Sequence, residues 1–393
     1  MFNSEALVGL PGYEVTGIRH LDRTVCVSVR LAEVVLCPFC SSSDLRKRDR
    51  RLRLVRHESH GERPCVLELE TGKWRCRSCE KTFWQRFPGI LPCKRATEPF
   101  RRSVANQHRD GINRTRLSRR EGIGSATVER WFKDCLGRQL SERKNAPCPR
   151  VLGIDEHFFT RKDGYATTLC DLGGNKVYDV VLGRSEASLE GYLGKLKGKD
   201  RVELVCMDLS STYRAIARKH FPNARIVADR FHVIRLVNHH FLTCWKQIDP
   251  IGGKNRGLIS LMRRHKRNLK SPEQAARLMA YLAENPVLER IYEFKQGLCE
   301  LLLEKHCTAN KCRMLARRFL KAIDELIGSK LDPLVVLGET LRSWQEEIAT
   351  MWRFTKNNGI TEGFHNKMEA LSRQAYGFRN FENYRLRVRV MCS

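Results

Sequence analysis

Apolar residues along this chain recur at two periods, and the switches between them divide it into modules. Val66-Leu67-Glu68-Leu69-Glu70 alternates as a strand does. Farther on the spacing turns helical. Thr115 to Glu121 reads as one helix, Gly122-Ile123-Gly124 as a turn, and Ser125 as the cap of a second helix burying Val128, Trp131 and Phe132. From Val151 short strands and helices alternate. Val151–Asp155 reads as a strand, and Tyr165–Asp171 and Lys176–Leu182 as a hairpin about Gly173-Gly174-Asn175. Then come a helix over Ser185–Leu196, a strand over Val202–Met207, a helix over Ser211–His220 and a strand over Ala224–Ala228. A helix from Phe231 to about Ile248 closes the series.

Beyond it the pattern is helical over Ala275–Leu282, Val287–Leu303, Met314–Ile327 and Leu341–Trp352, with Trp344 and Trp352 as core candidates. Thr361–Met368 opens a last helix. A three-stranded meander followed by helix, strand, helix and strand is the order of a ribonuclease-H-like domain, where the first and fourth strands are neighbours. The predicted fold class is multidomain α/β: an N-terminal zinc ribbon-like finger, a helix-turn-helix, and an RNase H-like catalytic core interrupted by an α-helical insertion. Expected boundaries are 1–35 for an N-terminal segment, 36–92 for the finger and 93–140 for the helix-turn-helix. The core takes 150–248 and 358–393, and the insertion 249–357. Residues 137–149, with Asn145, Pro147 and Pro149, read as a linker.

Charge narrows the partner. Against 44 Asp+Glu stand 72 Lys+Arg, a net charge of +28, and such a surface attracts polyphosphate and releases counterions on binding it. Anionic lipid is the lesser alternative, because no apolar run has spanning length. Met1 to Leu10 lacks both the basic start and the apolar run of a signal peptide. Double-stranded DNA is therefore the expected partner, in a cytoplasmic, nucleoid-associated setting. Arg116, Arg119, Arg120, Ser125, Thr127 and Arg130 are the candidate contacts, with the start of the second helix in the major groove. An ordinary helical hairpin with a glycine turn is the plain alternative. The run Met262 to Lys270 is the densest basic stretch of the insertion, and either follows a DNA backbone or is a solvated face.

Sixteen cysteines in a long chain, several in apolar surroundings (Cys170, Cys206, Cys244), suit buried thiols and one metal cluster better than a disulfide scaffold. Cys37-Pro38-Phe39-Cys40 and Cys76-Arg77-Ser78-Cys79 each present two sulfurs on one short turn, a set that suits tetrahedral structural Zn2+. Trp74, Phe83 and Trp84 would pack beside it. His57 and His60 are expected to be exposed loop residues rather than ligands.

Three separated acids complete the picture. Asp155 and Asp208 each close an apolar run, and Glu362 opens a helix. One aspartate at a strand end is ordinarily a turn former. Three acids brought together repel unless a cation neutralises them, and two divalent ions so held can run phosphoryl transfer. Asp229 and His232, at helical i and i+3, would share a face near them. His239 and His240 read as surface or packing residues.

The two Cys-x-x-Cys pairs, the helix-turn-helix, Gly153-Ile154-Asp155-Glu156, Val227-Ala228-Asp229-Arg230-Phe231-His232 and the Glu362 segment with Tyr376-Gly377-Phe378-Arg379-Asn380-Phe381 occur in this order. From about Leu36 to Val390 the chain resembles the insertion-sequence L-three (ISL3) family of bacterial DDE transposases. The resemblance implies that Asp155, Asp208 and Glu362 are the DDE acids, binding Mg2+ (or Mn2+). It also implies that Asp229 and His232 are the D-x-x-H motif of relatives with helical insertions. The amino-terminal third would read terminal inverted repeats, and the insertion would organise a homo-oligomer on transposon ends and target. Two rivals share these residues: a non-catalytic DNA-binding regulator, and an RNase H-like nuclease or resolvase.

Overall fold

The computed structural model describes residues 8–141, 146–269, 271–354 and 359–392. Residues 142–145 of the expected linker, Lys270 of the basic run, residues 355–357 of the expected insertion and residue 358 of the expected core lie outside them. The chain divides into two compact units, Met1–Ser141 and Glu142–Ser393.

In the first unit β1 (Tyr13–Leu21), β2 (Thr24–Leu31), β3 (Leu45–His60), β4 (Arg63–Cys76) and β5 (Thr82–Trp84) make one sheet. Its order is β1-β2-β4-β3, with β5 also on β4. The alternation seen at residues 66–70 belongs to a much longer strand. Cys65, Leu67 and Leu69 face a core of Val25, Val27, Val29 and Val55, while Glu68 and Glu70 turn away. Residues 13–31, expected only as part of an N-terminal segment, supply two strands of this sheet, the second marked by Val25, Val27, Val29 and Leu31 alternating with Cys26, Ser28 and Arg30. Three helices follow: α1 (Glu98–Arg109), α2 (Arg114–Glu121) and α3 (Ser125–Ser141). Phe100, Val104, Leu117 and Val128 pack at their centre. Asn113 caps α2 through a 2.8 Å bond from the Arg116 amide. Gly122 ends it at φ +62°, a left-handed turn that a side chain would strain. The Gly124 carbonyl, rather than the Ser125 side chain, receives the first amides of α3, and Ser125 is already inside the helix.

The second unit centres on a sheet of order β10-β9-β6-β7-β8. Its strands are β6 (Val151–Thr160), β7 (Gly164–Asp171), β8 (Lys176–Leu182), β9 (Leu204–Met207) and β10 (Arg225–Ala228). The first three form an antiparallel meander, and β9 and β10 run parallel to β6. Helices α4 (Glu186–Leu193) and α5 (Ser211–His220) cover one face through Leu189, Leu193, Tyr213 and Ile216 on Leu152, Ile154, Val205 and Met207. Helices α13 (Gly359–Gln374) and α14 (Phe381–Met391) cover the other, through Phe364, Met368, Tyr384 and Val388 on Ala166, Cys170, Val177 and Cys206. Arg385 clamps α14 to β8 with two 2.8 Å bonds to the buried Asp179 carboxylate.

Between these lie α6 (Arg230–Ile248), α7 (Arg256–Arg263), α8 (Pro272–Ala283), α9 (Pro286–Leu303), α10 (Ala309–Gly328), α11 (Asp332–Ser343) and α12 (Gln345–Arg353). The single helix expected over 341–352 is broken at Trp344, whose ψ of 16° ends α11. Its indole is buried beneath the Arg214 guanidinium at 4.0 Å, and Arg214 also donates to the Ser343 carbonyl at 2.8 Å. The basic run is likewise tied down. His265, Lys266 and Arg267 each come within 3.7 Å of Glu300, and the buried Lys295 ammonium donates to the Met262 and Arg263 carbonyls. Arg230, also buried, donates to the carbonyls of Leu302 (2.9 Å), Glu304 (3.0 Å) and Met351 (2.9 Å). Among the described residues no helix is long and apolar enough to cross a membrane.

Candidate active site and metal centre

Register assembles the acids. Ile154 pairs with Met207, and Met207 with Ala228, so the next residue on each strand, Asp155, Asp208 and Asp229, stands in one row across β6, β9 and β10. Asp155 does not end its strand, as the sequence suggested. β6 runs on to Thr160 paired with β7 alone, while β9 and β10 stop at Met207 and Ala228. The row thus lies where two strands end beside a third that continues.

Each acid is held differently. Asp155 Oδ1 accepts the Glu156 amide at 2.8 Å. Burial pushes its carboxyl up to about 6, helped by the Asp208 and Asp229 charges and opposed by that amide and by His232. Asp208 is raised as well, chiefly by burial, and its Oδ1 is buried with no hydrogen-bond partner among the described residues. A solvent-excluded carboxylate oxygen with nothing to bind fits a cation ligand. Asp229, 2% exposed, caps α6 by accepting the Phe231 amide at 3.3 Å, and its Oδ2 lies 3.7 Å from His232 Nε2. Asp229 and His232 therefore meet at the helix start as their spacing predicted.

Glu362 is brought near but not into the row. It is exposed in the first turn of α13, one turn before His365, whose Nδ1 is 3.9 Å from Asp155 Oδ2. Among the described residues the acids form no ready ligand cluster; the group that does is Cys37, Cys40, Cys76 and Cys79, with sulfurs all within 4.8 Å of one another. Four thiolates about 2.3 Å from a tetrahedral zinc would sit roughly 3.8 Å apart. The Cys37–Cys79 and Cys40–Cys76 separations of 3.6 and 3.5 Å match that. The residue after each knuckle, Ser41 (φ 57°) and Glu80 (φ 56°), adopts left-handed backbone, so both turns fold alike. The Cys79 amide, outweighing burial, pulls the Cys76 thiol down to about 6. Cys40, despite the Ser42 amide, is pushed up to about 12 by the proton it shares with Cys76. The donor set fits structural zinc. Phe39 and Phe83 pack beside it edge to face.

The expectation for His57 was wrong. It is buried, bonded through Nδ1 to Thr97 Oγ1 at 2.9 Å, and joins β3 to the cap of α1; His60 is exposed. The candidate DNA contacts Arg116, Arg119, Arg120, Ser125 and Arg130 are exposed and Thr127 is half-buried. Arg130 donates to Thr127 Oγ1 at 3.0 Å, and Arg120 pairs with Glu121 at 3.0 Å. Trp344 and Trp352 are core residues. Sequence reasoning missed His365, His157, Thr168 and Tyr384. Only His365 carried a signal, since it follows Glu362 at the same i, i+3 spacing that marked Asp229 and His232.

Comparison with known proteins identifies the family. Residues 152–388 match the transposase family of ISL3 DDE enzymes, and residues 33–79 match the zinc-finger of transposase IS204/IS1001/IS1096/IS1165. The chain belongs to the ISL3 family of DDE transposases. It is 24% identical over 400 residues to the transposase for insertion sequence element IS1001 of Bordetella parapertussis, an overlap spanning 98% of this chain and 97% of that protein.

Proposed function

We propose that this transposase cuts and joins DNA at the Asp155, Asp208 and Asp229 row. Asp155 and Asp208 would hold Mg2+ (or Mn2+), with Glu362 carried to them by α13. When bound, such ions activate the attacking oxygen and offset charge on the leaving one. Asp229 would orient His232, 3.7 Å away and partly exposed, toward a DNA phosphate. The observation that carries this reading is the in-register row containing an unpartnered, buried Asp208 oxygen. On this reading α1–α3 form a helix-turn-helix and, with the zinc finger, read the terminal inverted repeats through Arg116, Arg119, Arg120, Ser125, Thr127 and Arg130. The sheet of the second unit is the RNase H-like core, and α7–α12 are its insertion, serving a homo-oligomer on transposon ends and target in the bacterial cytoplasm.

The test is purified protein with its flanking DNA in Mg2+. Wild type should nick a labelled end and join it to target, which a regulator or a simple nuclease would not do. Asp155→Asn should bind the end with unchanged affinity and leave it uncut. Cutting by that variant would refute the assignment.

A further inference from the structure

A chain of hydrogen bonds leads from the last helix to the acid row. Tyr384, 2% exposed, sets its hydroxyl 2.8 Å from His157 Nε2. His157 Nδ1 lies 2.9 Å from Thr168 Oγ1, and Thr168 Oγ1 lies 3.1 Å from His365 Nε2. His365 Nδ1 then faces Asp155 Oδ2 at 3.9 Å, an electrostatic contact rather than a direct hydrogen bond. Four elements, α14, β6, β7 and α13, each contribute a link.

Proton counting restricts the chain. A hydroxyl carries one proton, and a neutral imidazole carries one on either nitrogen. Thr168 is fully buried, and its hydroxyl has no third partner among the described hydrogen bonds, so it donates to one ring and accepts from the other. Only two polarities are consistent. In the first, Tyr384 donates to His157 Nε2, His157 Nδ1–H to Thr168, and Thr168 to His365 Nε2, which leaves Nδ1–H of His365 toward the carboxylate. In the second every proton is reversed, and an Nδ1 lone pair faces the carboxylate, which is repulsive. The ring nitrogen that receives the Thr168 proton must be bare, so that ring is neutral on geometry alone.

We propose that Tyr384, His157 and Thr168 fix His365 as its Nδ1–H tautomer, and that His365 is a positioning residue orienting the Asp155 carboxylate. The Glu156 amide holds one carboxylate oxygen and His365 steadies the other, so the row is aligned before any cation or DNA arrives. The importance of that alignment for strand cleavage rests on the function proposed above; the tautomer does not. Because Glu362 precedes His365 by one turn, the same contact sets the start of α13 against β6.

Long-range proton–nitrogen correlation on the full chain, labelled with 15N-histidine and free of divalent cations, reads the tautomer directly. The expected result is Nδ1–H for His365 in wild type and mixed tautomers for His157 and His365 in Tyr384→Phe, which removes one hydroxyl. Nε2–H in wild type, or tautomers unmoved by Tyr384→Phe, would overturn the proposal. Cleavage supplies a second arm. In His365→Asn the amide nitrogen replaces Nδ1, whereas in His365→Gln it replaces Nε2. The Asn variant should stay within about 3-fold of wild type and the Gln variant lose about 10–100-fold, the usual range for groups that orient a metal ligand. The reverse order would also overturn it. Expected tautomers in a protein that cleaves no DNA would leave the relay standing and sink the catalytic reading instead.

Discussion

Asp155→Asn should separate stability from activity. A carboxyl raised from 3.8 to about 6 is one whose ionisation the fold resists, by roughly 3 kcal/mol at about 1.4 kcal/mol per pKa unit. The folded state binds this proton more tightly than the unfolded chain does. Its contribution is therefore complete below pH 3.8 and is lost as pH rises through about 6. At pH 7.5 the cation-free protein carries the whole deficit. Asparagine cannot ionise, yet its Oδ1 can still accept the Glu156 amide. In chelator the variant should be more stable than wild type by up to about 3 kcal/mol, a rise in Tm of roughly 6 °C or more in a unit of this size. Millimolar Mg2+ should raise the wild-type Tm and leave the variant nearly unmoved, since binding to the folded state alone stabilises it. Differential scanning calorimetry with and without chelator measures both, alongside the cleavage assay. A variant less stable than wild type in chelator, or one that gains as much from Mg2+, would show that Asp155 is not a strained acid awaiting a cation.

Three further outcomes follow from other parts of the molecule. Wild type should carry zinc at one ion per chain by elemental analysis, and Cys76→Ser should lose it together with the near-ultraviolet signal of Trp74 and Trp84; full zinc content in the variant would contradict the four-sulfur site. Arg385→Ala leaves the buried Asp179 carboxylate with only Tyr192 and the more distant Arg389 as side-chain partners, which should cost about 1–3 kcal/mol in urea unfolding and speed amide exchange in α14, whereas Arg385→Ala with Asp179→Asn should recover part of the loss. Burial pulls Lys295 down to about 8, so the folded state holds fewer protons than the unfolded chain between about pH 8 and 10.5. Stability should rise with pH across that window, and Lys295→Met should flatten the slope.

The strands of the second unit were legible because each is a short apolar run ended by a turn former, and Asp229-Arg230-Phe231-His232 was legible because i and i+3 share a helix face. The length of β6 was not. Asp155, Glu156 and His157 break the apolar run but remain in the strand because β7 supplies their partners. His57 read as a loop residue since nothing near it in sequence identifies Thr97, its partner 40 residues away. Trp344 fits helical periodicity, and only the Arg214 guanidinium from α5 shows why the chain turns there. The zinc ligands needed no tertiary knowledge, because each knuckle carries its geometry within four residues. Tyr384 and Thr168 lie at the opposite extreme: what they do depends on a histidine each reaches only after folding.

Arg230 sits between the two members of the D-x-x-H pair, yet its guanidinium points away from them into the ends of α9 and α12. One backbone step therefore separates a side chain anchored in the helical region from the carboxylate of Asp229. A displacement of α9 or α12 would therefore reach the backbone beside the acid row through three hydrogen bonds and one peptide link. The sequence places a tether at the centre of its most recognisable motif, and on the function proposed above it is the route by which assembly on DNA would be felt at the site of cutting.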